Sequence, residues 1–278
     1  MTDPTSMAGG HTLAAEAVTV GYSGQAVVES LSLSIEAKSI TALVGPNGSG
    51  KSTLLKAMAR LLPVRAGGVY LDGKAITRMS HRAVARELAI LPQGPSAPAG
   101  LTVGELVEQG RYPHAGSLRM LRKQDHASIE EALAQTDMAR FRHRPLHGLS
   151  GGERQRAWIA LALAQDTPML LLDEPTTFLD VGHQLEVLEL VARLRRERGM
   201  TVVIVLHDLN QAAHYADRMV VLERGRIVAD GAPSGVLTSA LLAEVFRVQA
   251  SVIADPVTGS PVCLPHAPTQ GTRARVPG

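Results

Sequence analysis

The residues with the clearest chemical purpose are Gly45, Pro46, Asn47, Gly48, Ser49, Gly50, Lys51, Ser52 and Thr53. They satisfy G-x-x-x-x-G-K-[ST] at every required position. Glycines let a loop turn its N–H groups inward around a phosphate chain. A helix starting just after the loop aims its positive dipole end at the same phosphates. Lys51 is then placed to reach the β- and γ-phosphates of a nucleotide, and the Ser52 hydroxyl to bind Mg²⁺. An apolar run, Ile40 to Val44, precedes the loop, and a run with helical character, Thr53 to Arg60, follows it. That strand–loop–helix context separates a phosphate-binding P-loop from an ordinary glycine-rich turn.

Two more apolar runs end in residues able to do chemistry. Met169 to Leu172 is followed by Asp173, Glu174 and Pro175, and Val202 to Leu206 by His207 and Asp208. In an open α/β sheet, ligands bind outside the carboxyl ends of the strands. Asp173 is placed to hold Mg²⁺, and Glu174, one residue further, to act as general base on an attacking water. His207 could orient the γ-phosphate and that water. An acidic pair alone can be a helix cap, and a lone histidine can be structural. Three convergent strand ends are far more specific.

A second anion cradle lies far away in sequence. Ser150 and Glu153 form a capping box before a helix running through Trp158 to Ala164. Gly151 and Gly152 sit just behind the cap, where a helix N-terminus can receive phosphate. One nucleotide per domain needs only the first device.

The elements that must position these residues are legible in outline. With 45% hydrophobic residues the chain of 278 can bury a large core, and with 3% aromatic residues that core is aliphatic. Ala17 to Val20, Leu31 to Ile35 and Val69 to Leu71 read as short strands. They suggest an antiparallel sheet beside the parallel one. Gly94 to Gly100 reads as a hinge. Thr102 and Glu105 form a capping box for a helix to about Gly110. Asp125 is expected to cap a second helix bearing Ile129, Ala132, Leu133 and Met138. Asp180 is expected to cap a third, with Leu185, Leu188, Val191 and Leu194 on one face. Val220 to Leu222 and Ile227 to Val228 read as a hairpin, Leu241 to Phe246 as a short helix, and Val252 to Ala254 as a last strand. The proline-rich segment after Pro256 is expected to be mostly loose.

The net charge of +2 carries no basic stripe, which argues against nucleic acid. A single cysteine, Cys263, excludes an internal disulfide and is read as an inert small residue. The longest apolar runs are under half the length of a membrane span. The polar N-terminus has no apolar signal core, so the chain is expected in the cytosol. His143 and His147 have a metal-like spacing, but Pro145 between them breaks the helix that would align them. Arg140, Arg142 and Arg144 read as a solvated basic loop.

With these motifs the chain resembles the ABC-transporter ATPases over about residues 13–265. Leu149 to Glu153 looks like their signature motif, with Glu153 where glutamine is commonest. The resemblance implies an α/β fold: a P-loop NTPase core of mixed parallel sheet, an antiparallel β subdomain and an all-helical insert at about 94–165. Residues 1–12 would be a disordered N-terminus and 266–278 a flexible tail. It also implies a head-to-tail homodimer with two ATP at the interface, where Ser150, Gly151 and Gly152 of one copy close on the P-loop of the other. Gln93 resembles the glutamine that senses Mg²⁺ and water and couples to the permease. Tyr22 resembles the aromatic residue that stacks on adenine. Thr177 to Asp180 takes the place of the loop touching the opposite subunit, with Phe178 where alanine is commoner.

Within the family the chain is most similar to the ferric-siderophore importer ATPases. Leu101-Thr102-Val103, Gly110 to His114, Trp158-Ile159-Ala160, Pro175 to Asp180, His183 to Leu188 and Pro261 to Pro265 carry that likeness. Gly104 stands where an arginine is frequent. The implied partners are integral membrane permease subunits and, indirectly, a periplasmic or lipoprotein substrate-binding protein. The implied location is peripheral, on the cytoplasmic face of the inner (plasma) membrane. Haem or cobalamin import is the alternative cargo. A soluble ABC ATPase acting on DNA or the ribosome would tend to carry two cassettes or a coiled-coil insert, and a P-loop kinase would not need Leu149 to Glu153.

Overall fold

The computed structural model describes residues 12–115 and 121–269. Its centre is a six-stranded sheet in the order β10-β9-β3-β8-β7-β6. Strands β3 (Ile40–Val44), β6 (Leu88–Leu91), β7 (Met169–Asp173), β8 (Thr201–Val205) and β9 (Arg218–Glu223) run parallel, and β10 (Arg226–Gly231) pairs antiparallel to β9 at the edge. The alternation of side chains along a strand explains why the central runs are apolar throughout. Leu170 and Leu172 of β7 enter one hydrophobic core, while Met169 and Leu171 enter the other. Val202 and Ile204 of β8 divide from Val203 and Val205 in the same way.

One face of this sheet is covered by a four-stranded antiparallel sheet, β2-β1-β4-β5. Its members are β1 (Leu13–Tyr22), β2 (Gln25–Ile35), β4 (Ala66–Leu71) and β5 (Lys74–Ala75). Helix α1 (Lys51–Met58) buries Leu54, Leu55, Ala57 and Met58 in the same core. The short helix α2 (His81–Glu87) leads into β6.

The other face carries the helical insert, α3 (Val103–Glu108), α4 (Lys123–Gln135) and α5 (Gly151–Ala164). It also carries α6 (Val181–Arg198) and α7 (Leu209–Tyr215). The capping boxes expected at Thr102/Glu105 and Ser150/Glu153 both form. Asp125 does not cap α4 from outside. It lies in the first turn, buried, where Oδ2 accepts from the Arg122 N–H at 2.7 Å and Oδ1 from Arg111 Nε at 2.9 Å. Arg111 also donates to the Ala164 carbonyl, so one buried ion pair ties α4 to α5. Met138 is buried but lies beyond the end of α4.

Three further expectations are corrected. Leu185 is 44% exposed, because the buried stripe of α6 begins only at Val187 and Leu188. Arg142 is no free loop cation, since it pairs with Glu108 and Glu130. The C-terminal segment is not loose through 268, and the flexible tail does not begin at 266. After the short helices α8 (Pro233–Val236) and α9 (Ser239–Glu244), strands β11 (Val248–Ala254) and β12 (Pro261–Pro268) form a hairpin. Prolines are tolerated in β12 because a two-stranded sheet consists of edges, where a missing N–H costs no ladder bond. The hairpin is anchored by Asn210, whose side-chain amide accepts from the Cys263 N–H at 2.7 Å and donates to its carbonyl at 3.2 Å.

The expected disordered N-terminus and the end of the tail lie outside the described residues, apart from Thr12, whose N–H donates to Asp72. Among the described residues no helix is long and apolar enough to cross a membrane, and no cluster of His, Cys, Asp or Glu could hold a metal by itself.

Candidate functional site

The loop from Gly45 to Gly50 joins β3 to α1, and sterics explain its glycines. Gly45 has φ +145, and a Cβ there would sit 2.1 Å from the Leu222 carbonyl oxygen of β9. Gly50 has φ +101, and its Cβ would sit 2.9 Å from Val28 of β2. A side chain at either position would push the loop off its neighbours. Gly50 is also the N-cap of α1 and offers no side-chain acceptor, so the first-turn N–H groups of α1 are not capped by it. That is the arrangement a phosphate needs.

Lys51 opens α1 and is buried, with Nζ donating to the carbonyls of Gly45 and Pro46 at 2.9 and 3.1 Å. Burial pulls its ammonium below the usual lysine range, against the opposing pull of the Glu174 and Asp173 carboxylates. Ser52 Oγ donates to Asp173 Oδ1 at 2.6 Å, across 121 residues of sequence. The other carboxylate oxygen, Asp173 Oδ2, is buried without a hydrogen bond, with the Lys56 ammonium 3.8 Å away. A hydroxyl beside a carboxylate oxygen that lacks a donor is the oxygen-rich chemistry that suits Mg²⁺.

Glu174 follows β7 with a left-handed backbone, φ +53, which turns its side chain across the strand ends. Its Oε1 lies 2.7 Å from Nε2 of His207, two residues past β8. Its Oε2 accepts from Gln93 Nε2, two residues past β6, and from Thr177 Oγ1 at 3.2 Å. Three neighbouring parallel strands, β6, β7 and β8, thus deliver Gln93, Asp173, Glu174 and His207 to one edge, beside Lys51 and Ser52 at the end of β3. The carboxylate of Glu174 is 10% exposed and His207 44% exposed, so the acid is enclosed and the imidazole open to a ligand.

Other expected residues lie further out. Tyr22 is half exposed at the β1–β2 hairpin, where it pairs with Gln25, two residues before the valines that cover Gly50. Ser150 spends its hydroxyl on the cap of α5, accepting from the Glu153 N–H at 3.2 Å. Gly152 is pressed against His183, and a Cβ there would fall 2.1 Å from the ring. Among the described residues, no hydrogen bond or ion pair joins Ser150, Gly151 or Gly152 to the P-loop of the same chain. Phe178 is 98% exposed with φ +64, and Val181 nearby is 70% exposed.

Sequence reading gave Lys56 no role, and named Thr177 and His183 only within the partner-facing loop and a subfamily likeness. Two of the three were signalled by spacing. Lys56 stands four residues after Ser52 on α1, hence on the same helix face. Thr177 stands three residues after Glu174, within reach of one turn. His183 gave no signal before the packing of Gly152 was known.

Comparison with known proteins follows the same lines. The family described as ABC transporter matches residues 28–177. An iron(3+)-hydroxamate import ATP-binding protein of Bacillus subtilis (strain 168) is 49% identical over 256 residues, covering 92% of this chain and 95% of that protein. A hemin import ATP-binding protein of Streptomyces coelicolor is 45% identical over 267 residues, covering 95% and 93%. A metal-chelate type ABC transporter, solved in an inward-facing conformation, superposes with TM-score 0.80 at 26% identity, covering 92% of this chain and 98% of that one. A dimeric ATP-binding cassette in a post-hydrolysis state with ADP and Pi superposes with TM-score 0.70 at 27% identity, covering 79% and 98%.

Proposed function

The chain belongs to the ABC transporter family, and from that premise we propose that it is the ATPase subunit of an importer that powers uptake of a ferric siderophore. The observation that carries the ATPase reading is the convergence of Ser52 on Asp173 and of Gln93 and His207 on Glu174. The 49% identity to an iron(3+)-hydroxamate importer supports the siderophore cargo. A hemin importer at 45% identity keeps haem as the second reading.

In this reading Lys51 leaves the carbonyls of Gly45 and Pro46 for the β- and γ-phosphates of ATP. The N–H groups at the start of α1 take the same phosphates. Ser52 and Asp173, with Gln93, would hold Mg²⁺, which neutralises charge on the phosphate oxygens when bound. Glu174 accepts the proton of the attacking water, held in line by Gln93 and Thr177. His207 donates toward the γ-phosphate and returns to Glu174 afterwards. Tyr22 stacks on adenine. Catalysis is mostly positioning and charge stabilisation.

Ser150, Gly151 and Gly152 act on the nucleotide of a second copy, which accounts for a second anion cradle with no bond to its own P-loop. Phe178 and Val181 meet that copy. Closure of the homodimer is transmitted through the helical insert to membrane permease subunits, fed by a substrate-binding protein outside. The subunit itself docks peripherally on the cytoplasmic face.

The test is growth of cells lacking this chain on a ferric siderophore, or on haem, as sole iron source. Loss of siderophore use, restored by the wild-type chain but not by Glu174→Gln, is the expected result. Loss of haem use alone would move the cargo to haem. Normal growth on both would refute the importer reading.

A further inference from the structure

The loop between Glu174 and Asp180 is costly to hold. Two non-glycine residues, Glu174 and Phe178, have left-handed backbones at φ +53 and +64. Such conformations persist only where the surroundings over-determine them. Backbone bonds within the loop are long, with Thr177 N–H to Glu174 O and Leu179 N–H to Thr176 O both at 3.3 Å. The loop is instead clasped from α6. Gln184 Nε2 donates to the Leu179 carbonyl at 2.9 Å and toward the Thr176 carbonyl at 3.4 Å. Its other end is fixed in turn, because Gln184 Oε1 accepts from Gln211 Nε2 at 2.6 Å.

Gln211 lies in the first turn of α7. Asp208 caps that helix, accepting from the N–H groups of Asn210 and Gln211 at 2.8 and 3.0 Å. His207, directly before the cap, reaches Glu174. A closed circuit results, from Glu174 through His207, Asp208, Gln211 and Gln184 to the loop and back to Glu174. Both glutamines are half-buried, and neither touches the P-loop or Asp173 by any described hydrogen bond. A glutamine pair is suited to this duty. Each amide both donates and accepts, so the pair transmits position without adding a charge beside Asp173 and Glu174.

We propose that Gln184 and Gln211 are positioning residues that join the exposed Phe178 loop to the helix behind His207, so that contact at the loop sets the geometry of His207 against Glu174. This deepens the ATPase reading and rests on it. The bridge acts on the catalytic geometry and not on nucleotide binding, so it governs turnover more than ATP affinity.

The experiment uses the full chain with Gln184→Met, Gln211→Met and the double variant. Methionine keeps the length of glutamine without its hydrogen bonds. Phosphate release is measured across ATP concentration, together with thermal unfolding. Each single variant is expected to lower kcat about three- to tenfold, with KM for ATP within about twofold of wild type. The double variant is expected to be no worse than the weaker single, because either change opens the same bridge. Independent, multiplying effects would overturn the proposal, as would kcat unchanged in all three. A fall in kcat that is restored at lower temperature, where an unstable variant refolds, would reduce the pair to a structural role and overturn it too. Failure of the underlying reading looks different. The wild type would then release no phosphate, and the bridge would fall with it.

Discussion

Replacing Glu174 by glutamine should remove a proton acceptor while sparing what holds position 174 in place. In the wild type Oε2 accepts from Gln93 and from Thr177, and Oε1 lies 2.7 Å from His207 Nε2. A glutamine can keep all three contacts. Its amide oxygen accepts from Gln93 and Thr177, and its amide nitrogen donates to His207 Nε2 in the tautomer protonated at Nδ1. The side chain keeps its length and the backbone need not leave φ +53. The fold should therefore change by less than about 1 kcal/mol, the net worth of one ordinary hydrogen bond. What is lost is general-base catalysis, worth about 10²- to 10⁴-fold. At ~1.4 kcal/mol per decade that is about 3–6 kcal/mol on the barrier. The assay is phosphate release at saturating ATP, alongside nucleotide affinity and the sedimentation of the ATP-bound species. The expected result is kcat lower by about 10²- to 10⁴-fold, unchanged ATP affinity and accumulation of an ATP-bound dimer. Wild-type turnover would refute the assignment. So would a loss accounted for by weaker ATP binding, since Glu174 would then be a ligand contact and not the base.

Gly152→Ala should abolish turnover while leaving ATP binding intact, because its Cβ would lie 2.1 Å from the His183 ring and shift the N-terminus of α5. Adding His183→Ala should restore part of the activity by removing the ring, and a double variant as inactive as the single would contradict the clash. Arg111→Met should cost about 3–5 kcal/mol, since it leaves Asp125 buried and unpaired, and calorimetry at neutral pH would check it. The gap should narrow on acidification, for a reason of sign. Burial alone would raise the Asp125 carboxyl, but the Arg122 N–H and the Arg111 guanidinium outweigh it and hold the carboxyl below the usual range. Wild type therefore loses this contribution as pH falls from about 4 through the depressed folded value, whereas the variant, with only the Arg122 N–H left to oppose burial, has less to lose. A gap independent of pH would show that Asp125 does not carry it.

How much of this was legible in the sequence depended on whether the deciding contact was local. The P-loop, the strand ends at Asp173 and His207 and the capping boxes at Thr102 and Ser150 follow from spacings of a few residues, which a sequence states directly. Double-sided burial of β7 and β8 was legible because an unbroken aliphatic run has few other uses. Asp125 was misread because a capping acid and a first-turn acid differ by three positions, and its true partner, Arg111, lies 14 residues away. Leu185 was misread because periodicity marks a stripe but not where along the helix burial begins. Strand β12 was hidden by its prolines, which are poor strand formers in a sheet centre but acceptable in a hairpin anchored by Asn210. The bridge from Gln184 to Gln211 spans 27 residues between two amides, and no pattern announces such a pair.

Most side chains of the candidate site are already engaged within the chain, while Asp173 Oδ2 and the first-turn N–H groups of α1 await a ligand. Lys51 is bonded to two loop carbonyls, Ser52 to Asp173, Glu174 to Gln93 and His207, and Ser150 to its own helix. Buried groups require partners, and a buried ammonium left without one would be costly. For these side chains nucleotide binding in this reading is an exchange of partners. Exchanges of this kind yield only small net free energies per bond. The balance between the open chain and the closed pair is accordingly set by what the exchange does not touch. Here that is the apolar surface of Phe178 and Val181, which a second chain would remove from water in this reading. A site whose internal bonds nearly cancel is one that a partner can switch, and ATP hydrolysis needs to alter only a few contacts to switch it back.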